Sequence, residues 1–496
     1  MTPPLVRITE TPLSIEELLA VADGADVELD DDARATIAAS RGVVDRMLEG
    51  EEPVYGLNTG VGHMKDVRLP IEELRSAQET LLMTHAGGTG ESLSTERVRA
   101  AMAARLNGIA RGGSGASPRV ADVLVAMLNA GVHPIVPSRG SVGTGDLGQL
   151  AFVGQVAIGR ARAELLGEIL AGAEALRRAG IDRLRLEPKD GLTIMSSNAV
   201  AIGDAAFAVS RAERAAARAE EIGALSLEAV HGNPSIARRV VGDAKPFPGQ
   251  IASCEALRAA LDGGFLADGG AARSVQDPLS FRVIPQVHGA FRDALTAARR
   301  AVETELNSRS DNPLVSIEDD SMVHNGNFHP LVMGIAFDQL RTAIAHVGQI
   351  SERRMSHLWD AFFERIGAGS SPPGREPPEA IGLSMRYPAA ATFAELKRSA
   401  TPATLDVPPL DLGVEDHATG APLAVRMTWG ALGLLEEILS IEVMMANDVL
   451  ATEQEAPALG RGTATLAESA RGAIDRLGDD RSPVEAQRAV AAELFP

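Results

Sequence analysis

The sequence predicts a mainly α-helical protein, an elongated helical bundle with a loop-rich N-terminal domain. Three observations predict it. Apolar residues recur at three- and four-residue spacing, with charged residues between them, in STERVRAAMAARLNGIARG, SPRVADVLVAMLNAG and AFAVSRAERAAARAEEIGAL. Aromatic residues make up only 3% of the chain while alanine abounds, a composition that suits close-packed helices better than aromatic-rich sandwiches. The stretch from about Pro330 to about Ile366 has no internal proline. At 1.5 Å per residue it makes a helix of roughly 50 Å or more, a length typical of a bundle's spine.

In chain order, residues 1–200 are expected to form an N-terminal domain that carries two unusual glycine loops. Residues 201–460 follow as a central long-helix bundle, and 461–496 as a peripheral acidic segment. Between the helices lie YGLNTGVGHM (Tyr55 to Met64), PSRGSVGTGDLG (Pro137 to Gly148), VQDPLSFR (Val275 to Arg282) and NGNFHP (Asn325 to Pro330). Turn residues beside His, Arg, Asn and Gln are what a rigid helical scaffold presents when it displays polar groups. The segment GAGSSPPGREPPEA, Gly367 to Ala380, is expected to be a mobile surface loop. No internal repeat of 20 to 50 residues is present.

Composition excludes several functions. The chain has 496 residues, 45% hydrophobic and 23% charged, enough for a substantial core or for two to three domains. Forty-seven Lys and Arg against 67 Asp and Glu give a formal charge of −20, the wrong sign for neutralising phosphates. Nucleic acid and anionic membranes are therefore not expected as partners. A single cysteine, Cys254, rules out an internal disulfide framework and fits a reducing compartment. The start, MTPPLVRITETPLS, lacks the basic and apolar runs of a secretory signal, and no run of about 18 uninterrupted apolar residues occurs. These features lead us to expect a cytoplasmic protein. Ten histidines are present without HExxH or zinc spacing, and His63, His85, His329 and His417 are scattered. No metal is expected, and His85 and His329 read as hydrogen-bonding members of a pocket wall.

Each glycine loop is weak evidence by itself. Around Tyr55, three glycines hold the backbone open for close approach of a ligand, but a tight turn with a packing tyrosine is the plainer reading. Gly140 to Leu147 reads as a helix-entry loop with Thr144 or Asp146 as N-cap and free amides that suit an anion. It lacks the Lys-Ser/Thr of a phosphate-binding loop.

Together the segments say more. YGLNTGVG, THAGGTGE, LNGIARGGSG, GSVGTGDL, PFPGQI, VQDPLSFRVIPQVHGA, SDNPL, NGNFHP, ISERR and VEDH occur in one order over nearly the whole chain. In that set and order the protein resembles the aromatic amino acid ammonia-lyase family, the histidine and phenylalanine ammonia-lyases. The resemblance implies a bundle of the histidine ammonia-lyase/fumarase-like type. It implies that Tyr55 is the base that removes a β-proton, and that Arg282 binds the substrate carboxylate through its bidentate fork. It places Gln276, Asn312 and Phe328 in the pocket. Glu415 matches the acidic residue set near the ring or amine in histidine-specific members, with Lys397 at the family's spacing to it. For each of these a structural role stays open: a helix-end salt bridge for Arg282, core packing for Phe328, a solvated or capping carboxylate for Glu415.

The same resemblance exposes departures. In the family the loop reads Gly-Ser-Val-Gly-Ala-Ser-Gly-Asp-Leu, and its Ala-Ser-Gly cyclises and dehydrates to the electrophile methylidene-imidazolone (MIO). Here the loop is one residue shorter, and Gly143-Thr144-Gly145 stands in that place. Ser196 occupies the position of a supporting asparagine, and Leu279 that of a supporting tyrosine. The base and the carboxylate receptor are thus retained while the electrophile is lost. A primary amine leaves poorly without covalent activation, whereas a trimethylammonium already leaves as a neutral amine.

The expected reaction is therefore β-elimination breaking a C–N bond to give an α,β-unsaturated acid. MIO is not expected, and the substrate is an amino-acid-like betaine such as hercynine or ergothioneine. Tyr55 then needs a depressed pKa, with Lys65 or Arg282 as the neighbouring cation. Glu415 and Phe328 are expected to hold the permanent cation. A homotetramer is expected in which the tyrosine and arginine loops meet across an interface. Two alternatives remain: an MIO-type ammonia-lyase or aminomutase with a ring closed from Gly143 to Gly145, and a non-catalytic amino-acid-binding homologue.

Overall fold

The structure, a computed structural model, describes residues 4–50, 52–267, 271–367, 380–405 and 407–496. The expected surface loop Gly367 to Ala380 lies, apart from its two end residues, outside the described residues. Helices dominate. The strands among the described residues are short and form small sheets, among them the parallel pair Leu5–Ile8 with Asp26–Leu29 and the antiparallel ribbon Leu314–Ser316 with Ser321–Val323. The proline-free stretch is a single helix, Leu331–Gly367, of 37 residues.

Helix boundaries follow from local chemistry. Ser14 and Glu17 form a reciprocal capping box that opens Ile15–Ala22, and the Asp30 carboxylate caps Asp31–Glu49. Pro118 occupies the first turn of Pro118–Ala130, which ends at Gly131 in the left-handed conformation (φ 71°).

The fold divides into two compact units, and neither is a continuous stretch of chain. One comprises the residues up to Ala208 together with Arg299–Ile335 and Ala403–Arg426; the other comprises Val209–Ala298, Ala336–Pro402 and the chain from Met427 onward. This differs from a sequential division at residues 200 and 460. The chain leaves and re-enters each unit within long helices such as Ala199–Ala229 and Ala421–Leu450. Length along the sequence therefore does not mark the unit.

The second unit is cored by apolar helix faces, with Leu225, Leu257, Phe281, Ile284, Phe291, Leu435 and Leu439 buried. Each such side chain contributes about 1.5–3 kcal/mol. Within this core Arg354 makes a bidentate pair with Glu442 (2.6 and 2.8 Å), and both side chains are fully buried. Ser226 and Ser351 also donate to that carboxylate. The C-terminal segment, expected to be peripheral, buries Leu466, Ala467 and Ala470 within the same unit. One helical stretch among the described residues, Asp190–Ala229, is long and apolar enough to cross a membrane, and its apolar window is 94% buried in protein.

The first unit carries the two glycine loops. The Tyr55 loop follows helix Asp31–Glu49, and the loop ending at Asp146 enters helix Leu147–Ala157. The helix Leu74–His85, the short helix Asp190–Met195, the turn before Leu331 and the turn Leu410 to Glu415 supply further walls of a cavity beside these loops.

Candidate active site

A cavity of about 840 Å³ lies within the first unit. Of the residues singled out in the sequence, Tyr55, His85, Thr144, Gly145, Ser196, Asn312, Phe328 and Glu415 line it. Gly143, Lys65 and His329 do not, and Arg282, Gln276 and Lys397 belong to the second unit. The lining contains three carboxylates, Glu73, Asp411 and Glu415, and no lysine or arginine.

Tyr55 is half-buried, with its hydroxyl accepting a hydrogen bond from the Gly62 amide at 3.1 Å and its ring edge-on to His324. Its pKa is raised, first by burial and then by the negative charges of Glu415 and Asp411; the Gly62 amide acts in the opposite sense. The expectation that Lys65 depresses it is not met. Lys65 pairs with its own neighbour, Asp66, at 2.7 Å and stands off the cavity wall. The lining offers the phenol no lysine or arginine.

Sequence reading missed Asp411. It accepts from the His63 amide (2.9 Å) and from His63 Nδ1 (2.6 Å). It approaches so closely that a Cβ at Gly62, which sits at φ 58°, would collide with the carboxylate. Asp411 and Leu412 both have positive φ (47° and 54°), an uncommon conformation for side-chain-bearing residues. The turn is closed by mutual backbone hydrogen bonds between Leu410 and Glu415. A strained turn is invisible in the residue string DLGVE, whose single glycine lies only at Gly413. The motif's closing glycine, Gly62, was the one available signal.

The loop in place of the family's tripeptide is tied down atom by atom. The Ser141 hydroxyl accepts from the Gly143 amide and donates to the Gly145 carbonyl. Thr419 donates to the Gly143 carbonyl at 2.9 Å, and the Gly145 amide donates to Asn198 Oδ1 at 3.1 Å. Asn198 is fully buried and donates in turn to the Phe328 carbonyl. It thus joins the loop to the aromatic wall, a role that sequence reading did not assign. At Gly143 (φ 90°) a Cβ would run into the Thr419 hydroxyl.

The Gly143, Gly145 and Asp146 amides are therefore engaged and not free to form the anion site expected from the sequence. Nor does Asp146 cap helix Leu147–Ala157 through its side chain. Its carboxylate accepts instead from the Ala201 amide, and burial raises its pKa to about 6.

Glu415 is also shifted upward, first by burial and then by Asp411, while Thr144 and His85 act to lower it. His85 Nδ1 lies 3.0 Å from the Leu81 carbonyl. His329, expected on this wall, instead lines a separate cavity of about 630 Å³ and bonds His417 through its ring nitrogen at 2.9 Å. Among the described residues no cluster of three or more His, Cys, Asp or Glu is arranged to hold a metal ion.

Residues 13–472 match the family model described as "Aromatic amino acid lyase". The chain is 37% identical to the histidine ammonia-lyase of Gloeobacter violaceus over 95% of its own length and 91% of that protein's. Among solved structures it is similar to the ergothioneine-degrading enzyme ergothionase of Treponema denticola, solved with desmethyl-ergothioneine sulfonic acid. That likeness has 30% identity, a TM-score of 0.91, and coverage of 99% of this chain and 98% of that one. It is similar also to tyrosine aminomutase of Streptomyces globisporus, with 29% identity, a TM-score of 0.88, and coverage of 99% and 97%.

Proposed function

The chain belongs to the aromatic amino acid lyase family and is a carbon–nitrogen lyase, and from that premise we propose that it eliminates trimethylamine from a histidine betaine without methylidene-imidazolone. The observation that carries this reading is the cavity's charge. Glu73, Asp411 and Glu415 face a space whose lining has no lysine or arginine, which favours a ligand bearing a permanent positive charge.

The loop supports the same reading, because its residues do not fit the family's cofactor. An exocyclic methylene requires a middle serine, and the chain has Thr144. A five-membered ring through the tripeptide joins the Gly145 nitrogen to the Gly143 carbonyl carbon. That amide and that carbonyl oxygen are each held by other partners, Asn198 and Thr419. Gly143 also has no room for the Cβ of the family's alanine.

In the proposed reaction Tyr55, as phenolate, takes the β-proton. The C–H electron pair becomes the new C=C bond, and the Cα–N pair departs with neutral trimethylamine. The products are the unsaturated acid and a protonated Tyr55. Burial and two carboxylates oppose ionisation of Tyr55 in the free site. A bound quaternary ammonium offsets that opposition, so the substrate helps to form the base that attacks it. Phe328 contributes its ring face to the cation. The substrate carboxylate needs a partner that the lining lacks, and Arg282, with Gln276 beside it, fills that need if another copy of the chain supplies it. We accordingly read the working form as a homotetramer with shared sites.

The ergothioneine-degrading relative, 30% identical over nearly the full chain, supports the substrate class. The test is direct. Purified protein is incubated with hercynine, ergothioneine and histidine, and released trimethylamine and ammonia are measured. Trimethylamine from a betaine is the expected result. Ammonia from histidine with no trimethylamine from either betaine would overturn the reading in favour of an ammonia-lyase.

A further inference from the structure

Another cavity of the first unit, of about 1070 Å³, reverses the charge of the chain that builds it. Five arginines line it, Arg75, Arg119, Arg160, Arg183 and Arg185, in a protein whose formal charge is −20. Three are answered by carboxylates of the same wall: Arg75 pairs with Glu187 at 2.7 Å, Arg160 with Glu79 at 3.3 Å, and Arg119 with Asp182 at 4.0 Å. Arg183 and Arg185 have no ion-pair partner among the described residues. Their placement follows from the sequence. In Arg183-Leu184-Arg185-Leu186 the two leucines are buried and the two arginines stay outside. The Leu184 amide straps this segment to the Ala157 carbonyl at 2.8 Å, and the Arg183 stem lies across Gly159, where a Cβ would collide with it. Ser117 and Arg119 bring the N-terminal end of helix Pro118–Ala130 to the same wall, which adds partial positive charge.

We propose that this cavity is an effector site for a small molecule carrying two or more linked phosphates, and that its occupancy acts on the active cavity. A guanidinium meets phosphate oxygens in pairs, and two unpaired guanidiniums beside three partly answered ones suit more than one phosphate. The net charge of −20 repels a long polyanion, so the ligand is small. Two helices carry the effect. Leu74–His85 and Asp190–Met195 both line the active cavity, and Ser76 on the first of them lines both cavities. At the arginine wall the Arg75–Glu187 pair joins them, because the Glu187 amide donates to the Asp190 carboxylate at 2.9 Å. At the active cavity the Leu192 amide donates to Gln78 Oε1 at 3.1 Å. The Arg75–Glu187 pair is exposed, and such a pair contributes little. A phosphate shared between Arg75 and the two unpaired arginines replaces that weak tie with a stronger, charge-assisted one. The two walls of the active cavity are then held together more firmly.

The probe is inorganic pyrophosphate, titrated calorimetrically into the full-length protein at low ionic strength. Wild type is compared with Arg183→Gln, Arg185→Gln and Arg488→Gln, the last an exposed arginine of the second unit that controls for net charge. Wild type is expected to bind, R183Q and R185Q each about tenfold more weakly, and R488Q as wild type does. Citrate, a polyanion of carboxylates, is expected to bind more weakly than pyrophosphate. Hydrogen exchange read by mass spectrometry is expected to slow in residues 74–85 and 190–195 when pyrophosphate is added. No binding by wild type, R183Q and R185Q with wild-type affinity, or an equal loss in R488Q overturns the site. Citrate binding as tightly as pyrophosphate overturns the phosphate assignment. Binding without slower exchange in either helix overturns the link to the active cavity. Neither readout uses turnover, so the result stands whether or not a betaine is the substrate.

Discussion

One carboxylate clamps the Tyr55 loop to the strained turn: Asp411 Oδ1 lies 2.6 Å from His63 Nδ1, and its Oδ2 accepts from the His63 amide at 2.9 Å. The same charge raises the Tyr55 pKa. The chain has only two tyrosines, so in a Tyr387→Phe background tyrosinate absorbance reports Tyr55 alone. Asp411→Asn in that background is expected to move the absorbance midpoint to lower pH, because a repelling anion is gone. A midpoint that stays in place or rises shows that Asp411 does not act on the phenol.

The fold class and half of the site's wall are legible in the sequence because they depend on local patterns. The 3.6-residue periodicity and the absence of proline foretell Leu331–Gly367, and the glycine motifs foretell the loops that bear Tyr55 and Thr144. Asp411 and Asn198 are not legible, since their roles depend on where the chain returns in space. Asp411 meets Gly62 across 349 positions of sequence, and Asn198 joins residues 145 and 328. Lys65 shows the converse error. It lies ten positions from Tyr55, yet its ammonium is taken by Asp66.

Open peptide at residues 143–145 has a mass signature. Ring closure with loss of two waters lowers the mass by about 36 Da relative to the encoded chain, by bond arithmetic at an electrophile-forming tripeptide. Intact mass spectrometry is expected to return the unmodified value. A deficit that maps to the peptide containing Thr144 restores the cofactor-dependent alternative.

If Tyr55 and Arg282 act in one site from different copies, defects in the two complement each other. Tyr55→Phe is expected to lower kcat by about 10²–10⁴-fold, and Arg282→Ala to raise KM for the betaine. After dissociation and reassembly together, the two inactive proteins are expected to regain activity that neither parent shows. No recovery in verified mixed oligomers places both groups in a single copy, or outside the site.

Buried charge in the second unit makes a stability prediction. Glu442 satisfies Arg354 and two serine hydroxyls with no exposure to water. Glu442→Ala leaves the guanidinium buried without its counter-ion, at a cost of about 3–5 kcal/mol. Chemical denaturation is expected to show this as a shifted midpoint with an unchanged slope. A loss below about 1 kcal/mol means that water reaches Arg354 in the variant.

Asp146 links the altered loop to the pH dependence of stability. Its carboxyl is fully buried, and one oxygen has no hydrogen-bond partner. Burial raises its pKa from an ordinary 3.8 to about 6. The folded state therefore binds this proton more tightly than the unfolded chain does. The contribution to stability is fully present below about pH 4 and is lost as pH rises through about 6, a change of about 3 kcal/mol. Asp146→Asn removes the titrating group while keeping a side chain of similar shape. Between pH 4 and pH 8, the unfolding free energy of the variant relative to wild type is expected to rise by about that amount. If the difference between the two proteins is flat across this range, Asp146 is ionised throughout, and its free oxygen has a partner that these hydrogen bonds do not supply.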